Sequence, residues 1–345
     1  MKYLFFSKKS LVSAFSLFFL CIFVLASLFL SPMLEARSMK FDFKDFEVGT
    51  AENPAGPTGC TVFNFPRGAI AAIDVRGGAA AVREQSSIEE GNSWGWVDAI
   101  VLAGGSTYGL ESASGVMREL LKQRDNSVHF SKIPSVPAAI VYDFSGRNNA
   151  IYPDITLGAQ AFKNRRTNEV SVGAAGAGSF VTVGKFFGKK FSERSGQGAA
   201  FYESQGIKIF ALTVVNAVGN IMAEDGTILA GSKDPESGKR LSIPDELIKA
   251  SPSTLNDIYK GNTTISILIT NANLDRGQLK RLAVMTHTGM ARSIEPFHTP
   301  DDGDTLFVVS TYSKDVHGEQ KSPDVSKLGT IAAKIMQNAV RNAIE

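Results

Sequence analysis

The chain has 345 residues, 43% of them apolar and 20% charged, with a formal net charge of +2 and two cysteines. That composition is globular and excludes a collagen-like or disordered chain. Residues 1–36 hold three lysines and one glutamate, which accounts for the whole +2, so the body is near neutral and lacks the basic face that nucleic-acid binding needs.

Lys2, Lys8 and Lys9 precede an apolar run from Leu11 to Leu30, with Pro32 and Ala36 after it. This order reads as a signal peptide. The run is also about long enough to cross a bilayer, so residues 11–30 read as well as a membrane anchor. The lysines favour a cytoplasmic N-terminus and an exported body, periplasmic or secreted, free or held at the inner membrane. With Cys21 in this leader, Cys60 stands alone and is expected to be a small buried hydrophobe.

Residues 37–60 are polar and turn-rich and are predicted to form a loop. Ile70–Val75 is a predicted strand and Val97–Ala103 a buried one, broken by Gly104-Gly105-Ser106. A helix follows over about Tyr108–Lys122, from the spacing of Ala113, Val116, Met117, Leu120 and Leu121. Next come a strand at Ala138–Tyr142, a short helix at Leu157–Asn164 and a small, Gly-rich stretch from Val170 to Gly178. Ile207–Val218 is a long apolar strand. Ile221–Leu229 is a hairpin around Asp225-Gly226. Residues 231–262, with Pro235, Pro244 and Pro252, are predicted to be a surface linker. Thr263–Thr270 is a β-branched strand, and Leu279, Leu282, Ala283, Thr286 and Met290 mark a helix. Leu306–Thr311 is a last strand, and Leu328 to Ala339 a C-terminal helix. Without strict βα alternation, the class is α/β of the α+β kind, layers of sheet and helix rather than a doubly wound sheet.

Gly261-Asn262-Thr263-Thr264 lies where a polar loop meets a buried strand. A hydroxyl is a weak nucleophile until a base takes its proton, and a chain-terminal Ser or Thr can use its own α-amine. Such a residue must first be freed by breaking the bond before it. Asp301-Asp302-Gly303-Asp304-Thr305 is an acidic turn entering a strand. Its carboxylates, two apart, can converge on one site. Asn216, near a strand end, can donate to an oxyanion or simply cap the strand.

These residues lie within longer runs that resemble the self-processing aminopeptidases of the DmpA type, which include nylon-oligomer endo-hydrolases. The runs are Asp74–Glu84, Val97–Met117, Val172–Lys185, Ala211–Asn220, Asn262–Leu274 and Arg281–Thr305, in the family's order. The resemblance implies a four-layer sandwich with β layers between helices, shared with the ornithine acetyltransferases. It implies cleavage between Asn262 and Thr263, with Thr263 as the nucleophile and Thr264 as the neighbouring alternative. By the same resemblance Asn216 donates to the oxyanion, Asp302 and Asp304 form the acidic pair, and Tyr142 and Lys185 join the site. Two aspartates there match the nylon-oligomer type more closely than the β-aminopeptidase type. Arg194 stands where the family commonly has a lysine, and unlike lysine it does not readily lose a proton.

The implied protein is an N-terminal-nucleophile amide hydrolase without cofactor. Its large fragment 37–262 and small fragment 263–345 form one catalytic domain, act on a small peptide or amide, and assemble as a homo-oligomer of paired fragments. Acyl transfer by the same threonine, or amide binding without catalysis, are the alternatives. Gly104-Gly105-Ser106 resembles a serine elbow with one residue too many. In the family reading, its N–H groups at a helix start aid an oxyanion. The Gly173–Gly178 stretch has a nucleotide loop's glycines in the wrong order. His129, His287, His298 and His317 show no metal-ligand spacing, and His287 and His298 are expected to be structural. Arg76 and Arg83 are expected to form salt bridges rather than to bind a substrate carboxylate.

Overall fold

The computed structural model describes residues 36–89, 91, 94–250, 260–312 and 324–344. The leader expected over residues 1–36, its last residue apart, lies outside them. The elements that build the core are, in chain order, β1 (Glu47–Asn53), β2 (Thr58–Val75), β3 (Trp96–Ala103), α1 (Glu111–Gln123), β4 (Ala138–Ile140) and α2 (Ile155–Lys163). They continue with β5 (Gln197–Ser204), β6 (Ile207–Asn216), β7 (Thr263–Thr270), α3 (Arg276–Met290), β8 (Thr305–Ser310) and α4 (Val325–Arg341).

The strands pair in the order β5-β6-β7-β8-β2-β3-β4, with β1 against the first half of β2. β7 and β8 are parallel, as are β3 and β4, and the other neighbours among these strands are antiparallel. β2 belongs to two half-sheets. Its residues 58–64 pair with β1 and β3, its residues 70–75 pair with β8, and the register to β3 shifts between Asn64 and Ala69. In a flat sheet β2 and β6 would lie about 14 Å apart, three strand spacings. Yet the rings of Phe63 on β2 and Phe210 on β6 are 6.4 Å apart, so the two halves fold face to face.

Side chains alternate accordingly. Phe63, Ile100, Leu102, Phe210, Leu212, Ile265, Ile267 and Phe307 fill the space between the halves. Their sequence neighbours point outward to the helices. Val62, Ala99 and Val101 pack on Ala113 and Val116 of α1 and Phe162 of α2. Ala211, Leu268, Leu306 and Val308 pack on Leu279 and Leu282 of α3 and Ala332 and Met336 of α4. Strands of period two, buried on both faces, thus produce the four layers, helix-sheet-sheet-helix. The expected sandwich is the observed one.

Two segments differ from their predicted state, and a third had none predicted. Residues 37–60 hold a strand (Arg37–Lys40), β1 and the start of β2. Phe41, Phe43 and Phe46 are buried there in the middle core. Gln197–Ser204, which carries no long apolar run, is a strand because β6 offers it a full antiparallel partner. The 231–262 linker includes a helix, Ile243–Lys249, capped by Ser242, and buries Ser232 and Asn262. Cys60 is buried as expected, and burial pushes its thiol pKa far up.

Candidate active site

Four strand ends meet at one edge of this core. β7 and β8 run parallel, so both begin there, while β6 and β2, antiparallel to them, both end there. The segment entering β7 therefore lies beside the Asp302-Gly303-Asp304 turn that enters β8. Asn262 and Asp302 form a parallel bridge that extends the strand pair backwards. Asn216, the last residue of β6, sits opposite Thr263. Beyond β2, the Arg76 and Gly77 N–H groups donate to the Asp304 carbonyl at 3.0 and 3.3 Å, and Ala79 N–H donates to that of Asp302 at 2.8 Å. The Asp74–Glu84 run thus serves as the backing of the acidic turn.

At the junction the Thr263 hydroxyl donates to the carbonyl oxygen of Asn262, the residue before it. The same oxygen accepts the Gly303 N–H at 3.0 Å. Gly261 has φ +88°, and a Cβ there would come within 2.6 Å of the half-buried Tyr142 ring, so this approach to the bond requires glycine.

Asn216 is buried, and its Nδ2 donates to the carbonyls of Tyr142 (3.0 Å) and Gly261 (3.2 Å). Its Oδ1 accepts from Lys185 Nζ at 2.8 Å and from the Thr182 N–H at 3.3 Å. Lys185 is fully buried and also donates to the Asn216 carbonyl at 2.7 Å. Burial lowers its pKa to about 7, against the pull of the Asp302 charge. Asp302 moves the opposite way, also to about 7. Burial and the nearby Asp304 raise it, while hydrogen bonds from Thr299 Oγ1 (2.7 Å) and the Val218 N–H (3.3 Å) hold it back. Both groups are therefore driven toward their neutral forms, with affinities matched to proton transfer near neutral pH. Asp304 accepts the Thr264 N–H on Oδ1 at 2.8 Å. Its Oδ2 takes the backbone N–H of His298 at 2.9 Å and lies 3.0 Å from the ring Nδ1.

The structure thus gathers Asn262, Thr263, Asn216, Asp302, Asp304, Lys185 and the Tyr142 ring at one place. Arg194 is one strand away. It donates to the Ser179 carbonyl at 2.7 Å, stacks on the Phe180 ring, and lies opposite Thr182 in a short strand pair. Gly104, Gly105 and Ser106 sit next to Tyr142 in the chain's path, but their N–H groups donate to the Gly59 carbonyl, Asp143 Oδ1 and the Val141 carbonyl. Those donors are occupied within the protein. Arg76 pairs with Asp74 and Arg83 with Glu84, as expected. Residue types alone did not reveal His298, Thr299 or the Gly303 N–H as part of the site. The available signal was their position, all within the seven residues His298–Asp304. Among the described residues, no three His, Cys, Asp or Glu side chains converge as a metal site would require.

The family model of Peptidase family S58 matches residues 41–345. The chain belongs to peptidase family S58. One relative, the 6-aminohexanoate-oligomer endohydrolase of Kocuria sp. (strain KY2), is 38% identical over 314 residues, covering 89% of this chain and 86% of its own. An uncharacterized aminopeptidase of Mycobacterium bovis is 33% identical over 297 residues, 82% of this chain and 84% of its own. The fold is also that of the L-aminopeptidase D-Ala-esterase/amidase of Ochrobactrum anthropi, a variant of the Ntn hydrolase fold. There the TM-score is 0.61 at 18% identity, with 88% of this chain and 83% of that one covered. A Burkholderia sp. β-aminopeptidase gives 0.61 at 17%, covering 89% and 88%. As an S58 member this protein is a hydrolase of amide bonds, built as an N-terminal-nucleophile fold.

Proposed function

We propose that the chain cuts itself between Asn262 and Thr263 and then hydrolyses amides with Thr263 as an N-terminal nucleophile. The observation that carries this reading is the Thr263 hydroxyl folded back onto the Asn262 carbonyl, whose oxygen already takes the Gly303 N–H. In the first step Thr263 Oγ1 adds to the Asn262 carbonyl carbon and its proton passes to a basic group of the Asp302–Lys185 cluster. The oxygen becomes an oxyanion held by the Gly303 N–H. The C–N bond then breaks, the Thr263 nitrogen takes up a proton, and an ester joins the two residues. Water hydrolyses the ester to an Asn262 carboxylate and a free Thr263 hydroxyl. In turnover the Thr263 α-amine replaces the lost peptide nitrogen and serves as the base. Asp302 and Asp304 orient it. An amine leaves from the substrate, and water clears the acyl-enzyme.

The Asp302–Asp304 pair and the similarity to 6-aminohexanoate-oligomer endohydrolases support short peptide-like amide oligomers as substrates. Purified protein is expected to run as two bands on a denaturing gel, the smaller with Thr263 at its N-terminus. It is expected to release amines from 6-aminohexanoate oligomers. Thr263→Ala is expected to give one full-length band and no hydrolysis. Cleavage that persists in this variant, or a small fragment beginning at Thr264, sinks the assignment.

A further inference from the structure

We infer that His298 is the positioning residue of Asp304, acting through one ring N–H, for the self-cleavage and turnover proposed above; the role rests on that proposal. His298 puts two donors on one carboxylate oxygen, its backbone N–H at 2.9 Å and its ring Nδ1 at 3.0 Å. The other oxygen of Asp304 holds the Thr264 N–H at 2.8 Å, one residue from the nucleophile. The carboxylate is completely buried, so its plane is set by these three contacts. A buried carboxylate that already accepts two backbone N–H groups is an acceptor toward the ring as well, which puts the ring proton on Nδ1 and leaves Nε2 bare.

The ring is itself fixed. The Phe297 ring stacks on it with centroids 3.8 Å apart, and His287 meets it edge-on at 4.5 Å. His287 is anchored in turn, its Nδ1 lying 3.0 Å from Asp74 Oδ2. Neither Nε2 has a hydrogen-bond partner among the described residues, so ring packing joins the two histidines. The backbone of His298 also stands at φ +63°, a left-handed conformation disfavoured for a residue that carries a Cβ. Strain of this kind persists where the surroundings over-determine it, often at a working site. An apolar side chain would fill the same space without the N–H. What His298 adds is that one donor, charge-assisted and directed at Asp304.

Three substitutions separate this role from packing. The Asn side-chain nitrogen lies near the position of Nδ1, whereas that of Gln lies near Nε2. His298→Ala is expected to slow the appearance of the two fragments on the order of tenfold or more. The matured fraction should show a lower kcat with KM within about twofold. His298→Asn is expected to recover most of both losses, and His298→Gln to stay near the alanine variant. Melting temperatures of the Asn and Gln variants show that each is folded, the Asn variant expected somewhat higher because asparagine tolerates this left-handed backbone better. Processing of His298→Ala at the unmodified rate overturns the inference. So does a folded Asn variant no better than the Ala variant. Should the unmodified chain remain one band, or Thr263→Ala still be cut, it is the Thr263 mechanism that fails. Cleavage at Thr263 with His298→Ala keeping pace removes the His298 role alone.

Discussion

Asp302 and Lys185 show how burial makes ordinary side chains reactive. Water normally favours both charges, and burial takes both groups out of it, so the carboxyl rises and the ammonium falls to about 7. The sign for catalysis follows from which form can take a proton. The carboxylate and the free amine are the basic forms, and each is depleted as pH falls below about 7. Self-cleavage of precursor made by cell-free synthesis is therefore expected to slow by up to about tenfold per pH unit between pH 7 and pH 5. It should level off above pH 8, as read from the small fragment on gels. A rate indifferent to pH across that window removes both groups as proton acceptors. Sequence reasoning named Thr263, Asn216, Asp302, Asp304 and Lys185 through their runs, but nothing in a lysine's neighbours along the chain says that it is desolvated.

Strands and helices decide how these residues meet. The β-branched run Thr263–Thr270 and the apolar spacing of α3 and α4 were legible, because each element buries its own faces at its own period. β1 and β5 were not, since QGAAFYES and EVGTAEN acquire strand structure from a neighbour rather than from an apolar run. The acidic turn depends on an element far away in sequence. A Cβ at Gly77 would stand 2.2 Å from the Asp304 nitrogen and 2.3 Å from the Asp302 carbonyl oxygen, both backbone atoms that cannot swing aside. Gly77→Ala is expected to push the turn away from Asn262 and slow fragment formation on the order of tenfold or more, since small misplacements at a reacting centre are amplified in rate. Circular dichroism should still report a folded chain. Unchanged processing would show that the turn tolerates displacement.

Across the molecule, the proposed cut would leave two interleaved pieces. β7 and β8 of the small fragment sit between β6 and β2 of the large one, joined to β6 over eight residue pairs and to β2 over six. β7 and β8 are fully buried, and the helices α3 and α4 of the small fragment cover the same sheet half. Pulling the fragments apart would expose that whole apolar layer, at roughly 25 cal/mol for each Å², and break both ladders. The two fragments are therefore expected to co-elute on size exclusion in native buffer and to separate only in denaturant. Separation in native buffer would contradict this interleaved sheet as the mature form.

Composition gave no support to nucleic-acid binding, local periodicity gave most of the helices and the buried strands, and ordered runs of residues pointed to the family and to the proposed scissile pair. These properties depend on residues close together along the chain, so a linear reading reaches them. The fold of one sheet over itself at β2, the pKa values of Asp302 and Lys185, the Gly303 N–H on the Asn262 carbonyl and the grip of His298 on Asp304 depend on distance in space. Desolvation and hydrogen bonding act over a few ångströms between residues up to hundreds apart in sequence, and that proximity exists only once the layers have packed.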